Sequence, residues 1–189
     1  SFSYKFGRLI QKTINLYEGL EAETGQSIGW HKCGQLRIAE SADRMDEYLN
    51  YASIAETQGV RAEILTPEQT VDLWPLMKRS PELLGAVYNP DDGHIAPADV
   101  TQALAKGAKQ LGAKIYLQTE VFAIEQRASG EWCVKTSKGE IICEHVVTAT
   151  GNYVQQTAKM LGMTLPCFPI LHQYWVTETV AAVRERKDE

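Results

Sequence analysis

The stretch of residues 97–151 constrains the possible folds more than any other part of the chain. It opens on a proline and has apolar residues at helical spacing until Gly112, so it begins with an amphipathic helix. The apolar stripe of this predicted helix is formed by Val100, Leu104, Ala108 and Leu111. Short strand-like segments follow at 114–117, 120–126, 132–136 and 140–143, with turns at Ser129-Gly130 and Lys138-Gly139. The pattern predicts a helix, a strand and a three-stranded β-meander.

A continuous apolar run, residues 145–151, comes directly after the predicted meander. Its centre is β-branched, and its last three residues are Ala149, Thr150 and Gly151. Such a run is typical of a central strand that ends at a ligand, because small side chains let the backbone approach a bound molecule. A helix over residues 152–161 is predicted to follow.

The first part of the chain predicts alternating helices and strands. Residues 1–24 have apolar positions at helical spacing, and residues 30–39 alternate as a strand does. Ser41 is the predicted N-cap of a second helix, which Gln58-Gly59 closes. The apolar face of this second helix is formed by Met45, Leu49 and Ala52.

Turn and capping signals organise the next segments. Residues 63–65 predict a short strand, and Thr66-Pro67-Glu68-Gln69 predicts a helix that starts with a capping box and ends before Pro75. Turn formers fill residues 88–97, which predict a loop and a first domain boundary. A last strand is predicted at 172–180.

Composition and charge exclude two classes of partner. With 189 residues, 44% of them hydrophobic, the chain can bury a sizeable core. Its net charge is -5 and its Lys and Arg residues are scattered, which argues against a nucleic-acid surface. No apolar run approaches the roughly 18 residues that span a bilayer. We expect a small or zwitterionic partner, and neither nucleic acid nor a membrane.

The cysteines do not predict a metal site. They show no Cys-x-x-Cys pair and no clustering with histidine, and they stand at Cys33, Cys133, Cys143 and Cys167. A turn at Lys138-Gly139 would place Val134 opposite Cys143, so that Cys133 and Cys143 face opposite sides of the sheet. Free thiols are therefore expected, as in a reducing compartment.

Four blocks along the chain resemble a known family. They are Gly29-Trp30-His31-Lys32-Cys33-Gly34-Gln35-Leu36-Arg37, Leu73-Trp74-Pro75-Leu76, Asp92-Gly93-His94-Ile95-Ala96-Pro97 and His172-Gln173-Tyr174-Trp175-Val176-Thr177. In this order they resemble dimethylglycine and sarcosine dehydrogenases. Residues 97–162 resemble the later half of the flavin domain in the D-amino-acid-oxidase-like superfamily of flavoproteins. The resemblance covers nearly the whole chain and fades in the charged residues 184–189.

The resemblance implies a mixed α/β fold made from parts of two domains. Residues 1–92 would belong to an antiparallel-sheet substrate domain. Residues 93–163 would form the C-terminal part of an FAD-binding, Rossmann-like domain with its β-meander, and residues 164–189 a strand that returns to the substrate domain. The Gly-x-Gly-x-x-Gly motif, which holds the FAD pyrophosphate at a helix N-terminus, does not occur in these 189 residues. We expect a truncated or proteolytic piece of a longer protein, which self-associates, binds FAD weakly and has no turnover by itself.

The activity implied by the resemblance is oxidation of a small secondary or tertiary amine, such as dimethylglycine or sarcosine. FAD would take a hydride from the carbon beside the nitrogen, and the imine would be hydrolysed or captured by tetrahydrofolate bound elsewhere. Oxygen or an electron-transfer flavoprotein would accept the electrons, in the bacterial cytoplasm or the mitochondrial matrix. The alternative is a non-catalytic regulatory relative, since the pyruvate dehydrogenase phosphatase regulatory subunit also resembles dimethylglycine dehydrogenase.

The resemblance also assigns site residues. His172 and Tyr174 would share one face of the last predicted strand near flavin and substrate, which makes them the predicted catalytic pair. Val121 would meet the adenine through its backbone. The predicted cofactor contacts at the end of the apolar run are Ala149, Thr150 and Gly151, although relatives have alanine in place of Thr150 and a tryptophan shortly after the glycine. Two other histidines, His31 and His94, are interpreted as structural and solvated residues.

Overall fold

The computed structural model describes residues 4–185, and within them the mixed α/β class predicted from the sequence is confirmed. The helices are α1 (Tyr4–Thr24), α2 (Ala42–Thr57), α3 (Pro67–Leu73), α4 (Pro97–Gln110), α5 (Val154–Met160) and α6 (Ala181–Arg184). The strands are β1 (Gln35–Ala39), β2 (Glu63–Leu65), β3 (Gly85–Asn89), β4 (Val121–Gln126), β5 (Trp132–Thr136) and β6 (Gly139–Cys143). Two compact units result, one of residues 4–114 with 178–185, the other of Ile115–Thr177. The predicted functional division at 92 and 163 stays a prediction.

The first unit is built on an antiparallel sheet with β3 between β1 and β2. Val87 lies opposite Arg37 on one side and Ile64 on the other, and it is fully buried. The strand β3 was not predicted from the sequence, because its five residues do not alternate in polarity and run straight into turn formers. A central strand is identified by its neighbours more than by its own residues.

The helices α1 and α4 pack together in the first unit and form its main core. Leu20 of α1 and Ile28 after it are buried with Val100 and Ala103 of α4. The predicted stripe of α4 is wrong at Leu104 and at Leu111, which are 42% and 86% exposed. The buried face is turned one position away from the prediction, since Ala103 is fully buried and its neighbour Leu104 is exposed.

The second helix, α2, lies on the sheet through a face that is predicted correctly at Met45, which packs against the buried cluster of Ala39, Tyr48 and Val87, and wrongly at Leu49. Tyr48 and Ala55 are buried, and the Tyr48 hydroxyl donates to the Ile38 carbonyl at 3.3 Å. Leu49, which was expected in the core, is exposed. An aromatic ring with a hydroxyl that reaches a strand carbonyl fits this face better than the leucine does.

The predicted caps are confirmed. The Ser41 hydroxyl accepts from the Arg44 amide at 3.3 Å, and Gln58 caps the C-terminus of α2. At α3 the capping box is complete, since Thr66 Oγ1 accepts from the Gln69 amide and the Gln69 side chain accepts from the Thr66 amide. Caps depend on neighbours in sequence, which is why local patterns predict them.

The second unit contains the predicted β-meander, with order β4-β5-β6. Its last turn lies one position earlier than predicted, because Thr136 pairs with Gly139. The φ of Gly139 is 128°. Val134 consequently lies opposite Ile141 and not opposite Cys143. Cys133 and Cys143 still face opposite sides, because Cys143 lies opposite Trp132, the neighbour of Cys133. All four thiols are free.

Three predicted strands are not formed in the part of the chain that the structure describes, namely 114–117, 145–151 and 172–180. Val147 and Val176 within them are 89% and 88% exposed. A β-branched segment becomes a strand only when another strand satisfies its backbone groups, and none of these segments has such a neighbour within residues 4–185. The predicted strand at 30–39 is confirmed only from Gln35 onward.

Within the described residues, helices long and apolar enough to cross a lipid bilayer are absent.

Candidate functional site

The small-residue segment that ends at Gly151 lies on the surface of the second unit. Ala149, Thr150 and Gly151 are exposed, and Gly151 starts a single 3₁₀ turn, Gly151–Tyr153, that leads into α5. The φ of Gly151 is 53°, a conformation that favours glycine, and a Cβ added there would meet no atom within 4 Å. The backbone at this position is thus accessible to a ligand.

Thr157 holds this segment against α5. Its hydroxyl is 3.1 Å from the Thr150 hydroxyl and 3.3 Å from the Tyr153 carbonyl. Thr157 and Ala158 are buried where α5 packs against β4. One buried hydroxyl therefore fixes the end of the segment, and the sequence analysis did not identify it because a threonine inside a helix carries no distinctive signal.

Val121 begins β4, the strand against which α5 packs. It pairs with Thr136, and the register shifts between Val121 and Ala123, so that a bulge follows it directly. Its side chain is 37% exposed. The structure therefore places Val121 in the same compact unit as the segment ending at Gly151.

His172 and Tyr174 lie in an exposed segment without regular secondary structure. Tyr174 is 85% exposed. Neither side chain makes a hydrogen bond, ion pair or ring contact with any other residue in 4–185. Because the predicted strand is not formed, the shared face and the catalytic roles of the pair remain predictions.

Two histidines, His31 interpreted from the sequence as structural and His94 as solvated, are brought together in the first unit. The amides of His31 and His94 each donate to the other's carbonyl, at 2.9 and 3.0 Å, and their ring centroids are 5.2 Å apart. Cys33 Sγ lies 3.5 Å from His94 Nδ1. A Cβ at Gly93 would collide with the His31 carbonyl oxygen, so glycine is required between the two loops. The two histidines stand in two of the four sequence blocks that carry the family resemblance, but the blocks were interpreted separately.

An ion-pair network lies beside this histidine pair. Lys32 Nζ is 3.1 Å from Glu18 and 3.2 Å from Asp91, and Arg61 Nε donates to Asp91 at 2.6 Å. The Arg61 guanidinium, with Lys32 beside it, lowers the pKa of Asp91 to about 2. Hydrogen bonding to Glu18 and Asp91 raises the pKa of Lys32.

Groups of three or more His, Cys, Asp or Glu side chains suited to a metal ion do not occur among residues 4–185.

The chain is similar in sequence and in structure to known proteins. The chain is similar to rat mitochondrial dimethylglycine dehydrogenase, at 36% identity over 94% of the chain, and to the mouse mitochondrial pyruvate dehydrogenase phosphatase regulatory subunit, at 31% identity over 86%. In structure it resembles glycine oxidase from Geobacillus kaustophilus, with a TM-score of 0.71 and 28% identity over 86% of the chain. The chain belongs to the family of FAD-dependent oxidoreductases, whose family model matches residues 3–188.

The match covers only part of these relatives. The chain spans 20% of the rat dehydrogenase, 19% of the mouse regulatory subunit and 43% of the glycine oxidase. The family and the mixed α/β fold inferred from the four sequence blocks are confirmed.

The residues predicted to meet FAD fit such a group. A flavin or adenine ring is large and planar, so it needs accessible backbone and small side chains. Ala149 to Gly151 offer both, since they are exposed and the space beside Gly151 is open. Val121, at the bulge of β4, is partly exposed in the same unit.

Proposed function

We propose that the protein containing this chain oxidises the C–N bond of a small secondary or tertiary amine, such as dimethylglycine or sarcosine, with FAD as cofactor. The observation that carries the proposal is 36% identity to a dimethylglycine dehydrogenase along 94% of the chain, including all four sequence blocks. The exposed segment ending at Gly151 supports it, because a cofactor needs such an accessible backbone.

The proposed cofactor contacts are Val121, Ala149, Thr150 and Gly151. Thr157 supports them by holding the Thr150 hydroxyl at 3.1 Å. FAD, when bound, supplies the hydride acceptor for the amine. The protein must orient the reacting C–H bond and control the protons, since only a neutral amine releases a hydride readily.

His172 and Tyr174 are the proposed catalytic pair. The imidazole of His172 would accept the proton of the substrate ammonium and keep the nitrogen neutral during the reaction. The phenol of Tyr174 would donate a hydrogen bond to the substrate carboxylate. Both side chains are exposed and bonded to no other described residue, so they are accessible to a ligand.

Substitutions of this pair in the flavin-loaded protein test these roles. His172→Ala is expected to slow flavin reduction by about 10²-fold or more, the contribution typical of a general base. Tyr174→Phe should raise the KM for dimethylglycine about tenfold, as expected for one lost hydrogen bond to a charged group.

The matched controls are His145→Ala and Tyr116→Phe, both at exposed positions outside the proposed site. They should leave both kinetic quantities unchanged. Rates for His172→Ala or Tyr174→Phe that equal those of the controls would contradict the assignment.

The second candidate function is regulation without catalysis. It is favoured by the 31% identity to the mouse regulatory subunit over 86% of the chain. A regulatory protein would show no reduction of bound flavin by any small amine.

We also propose partners and a location for the whole protein. Oxygen or an electron-transfer flavoprotein would reoxidise the flavin, and tetrahydrofolate would capture the imine carbon. The compartment would be the bacterial cytoplasm or the mitochondrial matrix. Self-association is proposed for the isolated chain, because residues such as Ile170, Leu171 and Trp175 are at least 88% exposed.

A further inference from the structure

A cavity of about 330 Å³ lies within the first unit, between α1, α2 and the end of β3. Its volume lies within the range of pockets that hold small organic ligands. Ile10 and Ile14 of α1 and Ala55 of α2 form an apolar wall. The residues assigned above to amine oxidation do not line this cavity.

Six charged side chains line the cavity, and four of them neutralise one another. Lys32 pairs with Glu18 and Asp91, and Arg61 pairs with Asp91. The two that remain are Arg37 and Asp92, neither of which forms an ion pair with any residue in 4–185. One positive and one negative charge are therefore left to face a ligand.

Arg37 is held in a fixed position. Its Nε and Nη2 both donate to the Gln35 side-chain oxygen, at 2.9 and 2.7 Å, and its guanidinium lies 5.1 Å above the centre of the Tyr51 ring. The Tyr51 hydroxyl donates to Asn89 at 3.4 Å, and buried Asn89 donates to the Arg61 carbonyl at 2.9 Å. This chain of contacts ties the guanidinium to the sheet.

Asp92 is fixed at the turn that follows β3. Its Oδ1 accepts from the Gly93 amide at 2.8 Å, and its carbonyl accepts from the Gly34 amide at 2.8 Å. Both contacts are with backbone amides, so the negative charge of the carboxylate has no cation paired with it.

We propose that this cavity binds a small zwitterionic amino acid, with its carboxylate on Arg37, its cationic nitrogen near Asp92 and its aliphatic part against Ile10 and Ile14. A planar guanidinium pairs well with a carboxylate through parallel hydrogen bonds. A polyanion is disfavoured, because the other two cations already carry carboxylate partners. This site is separate from the proposed amine oxidation, because only the binding of a ligand is inferred for it.

The proposal is tested by the binding of ω-amino acids, from glycine to 6-aminohexanoate, to the 189-residue chain. Heteronuclear NMR at low ionic strength measures this binding. Butanoate and butylammonium each carry one of the two charges and serve as matched probes. The best ω-amino acid is expected to bind at least about tenfold more tightly than either probe and to shift signals of Arg37, Tyr51 and Asp92.

Arg37→Gln and Asp92→Asn should each weaken this binding about tenfold, while Arg44→Gln, on the outside of α2, should not. Asp92→Asn keeps the side-chain oxygen that accepts from Gly93, so the turn is preserved. Equal affinity for ω-amino acid and butanoate, or unchanged affinity in both variants, would overturn the proposal. The test measures binding without flavin, so its outcome is independent of whether amines are oxidised.

Discussion

Asp91 stabilises the first unit through its contacts with Arg61 and Lys32. Its side chain is 43% exposed, so we expect the network to contribute about as much to the free energy of unfolding as an exposed ion pair does. We predict that Asp91→Asn lowers the free energy of unfolding at pH 7 by about 0.5–1 kcal/mol.

This contribution depends on pH with a definite sign. The pKa of Asp91 is lowered from 3.8 to about 2 in the folded protein, so the folded state favours the ionised form. The stability difference between wild type and Asp91→Asn is present above pH 3.8 and is lost as the pH falls to about 2. Carboxyl ¹³C titration of Asp91 checks this, and a midpoint near 3.8 would contradict it. Asp46→Asn, on the exposed side of α2, is the control for the unfolding measurement.

The sequence indicated some features of the candidate site and not others. Gly151 was chosen because a small residue after a β-branched run is a local pattern, and its positive φ favours glycine, while its contact with a cofactor stays a prediction. The contact between His31 and His94 could not be predicted, because it depends on two loops that are 63 residues apart in the sequence. Thr157 was missed for a different reason, because a threonine inside a helix carries no distinctive signal even though its partner Thr150 lies nearby in the sequence.

At the scale of elements, the capping box of α3 gives the clearest prediction. Thr66→Ala removes the acceptor for the Gln69 amide and should lower the free energy of unfolding by about 1 kcal/mol. Thr66→Ser retains the hydroxyl and should cost much less. Chemical denaturation of both variants measures the difference, and equal losses would mean that the cap contributes nothing.

Helices, caps and the meander were predictable from the sequence, whereas several strands were not. The hydrogen bonds of a helix or a hairpin lie within a short segment, so spacing and turn residues are sufficient. The strand β3 depends on β1 and β2, which come from two other parts of the chain. The run ending at Gly151 has the composition of a strand, but no neighbour pairs with it within residues 4–185. The composition of a segment allows it to form a strand, but the strand forms only when another strand pairs with it.

At the scale of the whole molecule, cofactor affinity depends on more than the proposed contacts. Phosphate binding by a glycine-rich loop at a helix N-terminus supplies much of the affinity for a dinucleotide, and these 189 residues contain no such motif. We predict that the isolated chain is colourless after purification and binds added FAD weakly. Equilibrium dialysis with FAD measures this, and a yellow protein with stoichiometric flavin would contradict it.

The central claim is amine oxidation by the protein that contains this chain. The most direct test is to mix the flavin-loaded protein with dimethylglycine, sarcosine and related amines, without oxygen or another acceptor, and to record the flavin spectrum. We predict that at least one of these amines bleaches the oxidised flavin band, and the amine that does so fastest identifies the substrate. Flavin that stays oxidised with every amine would contradict the account and favour the regulatory function.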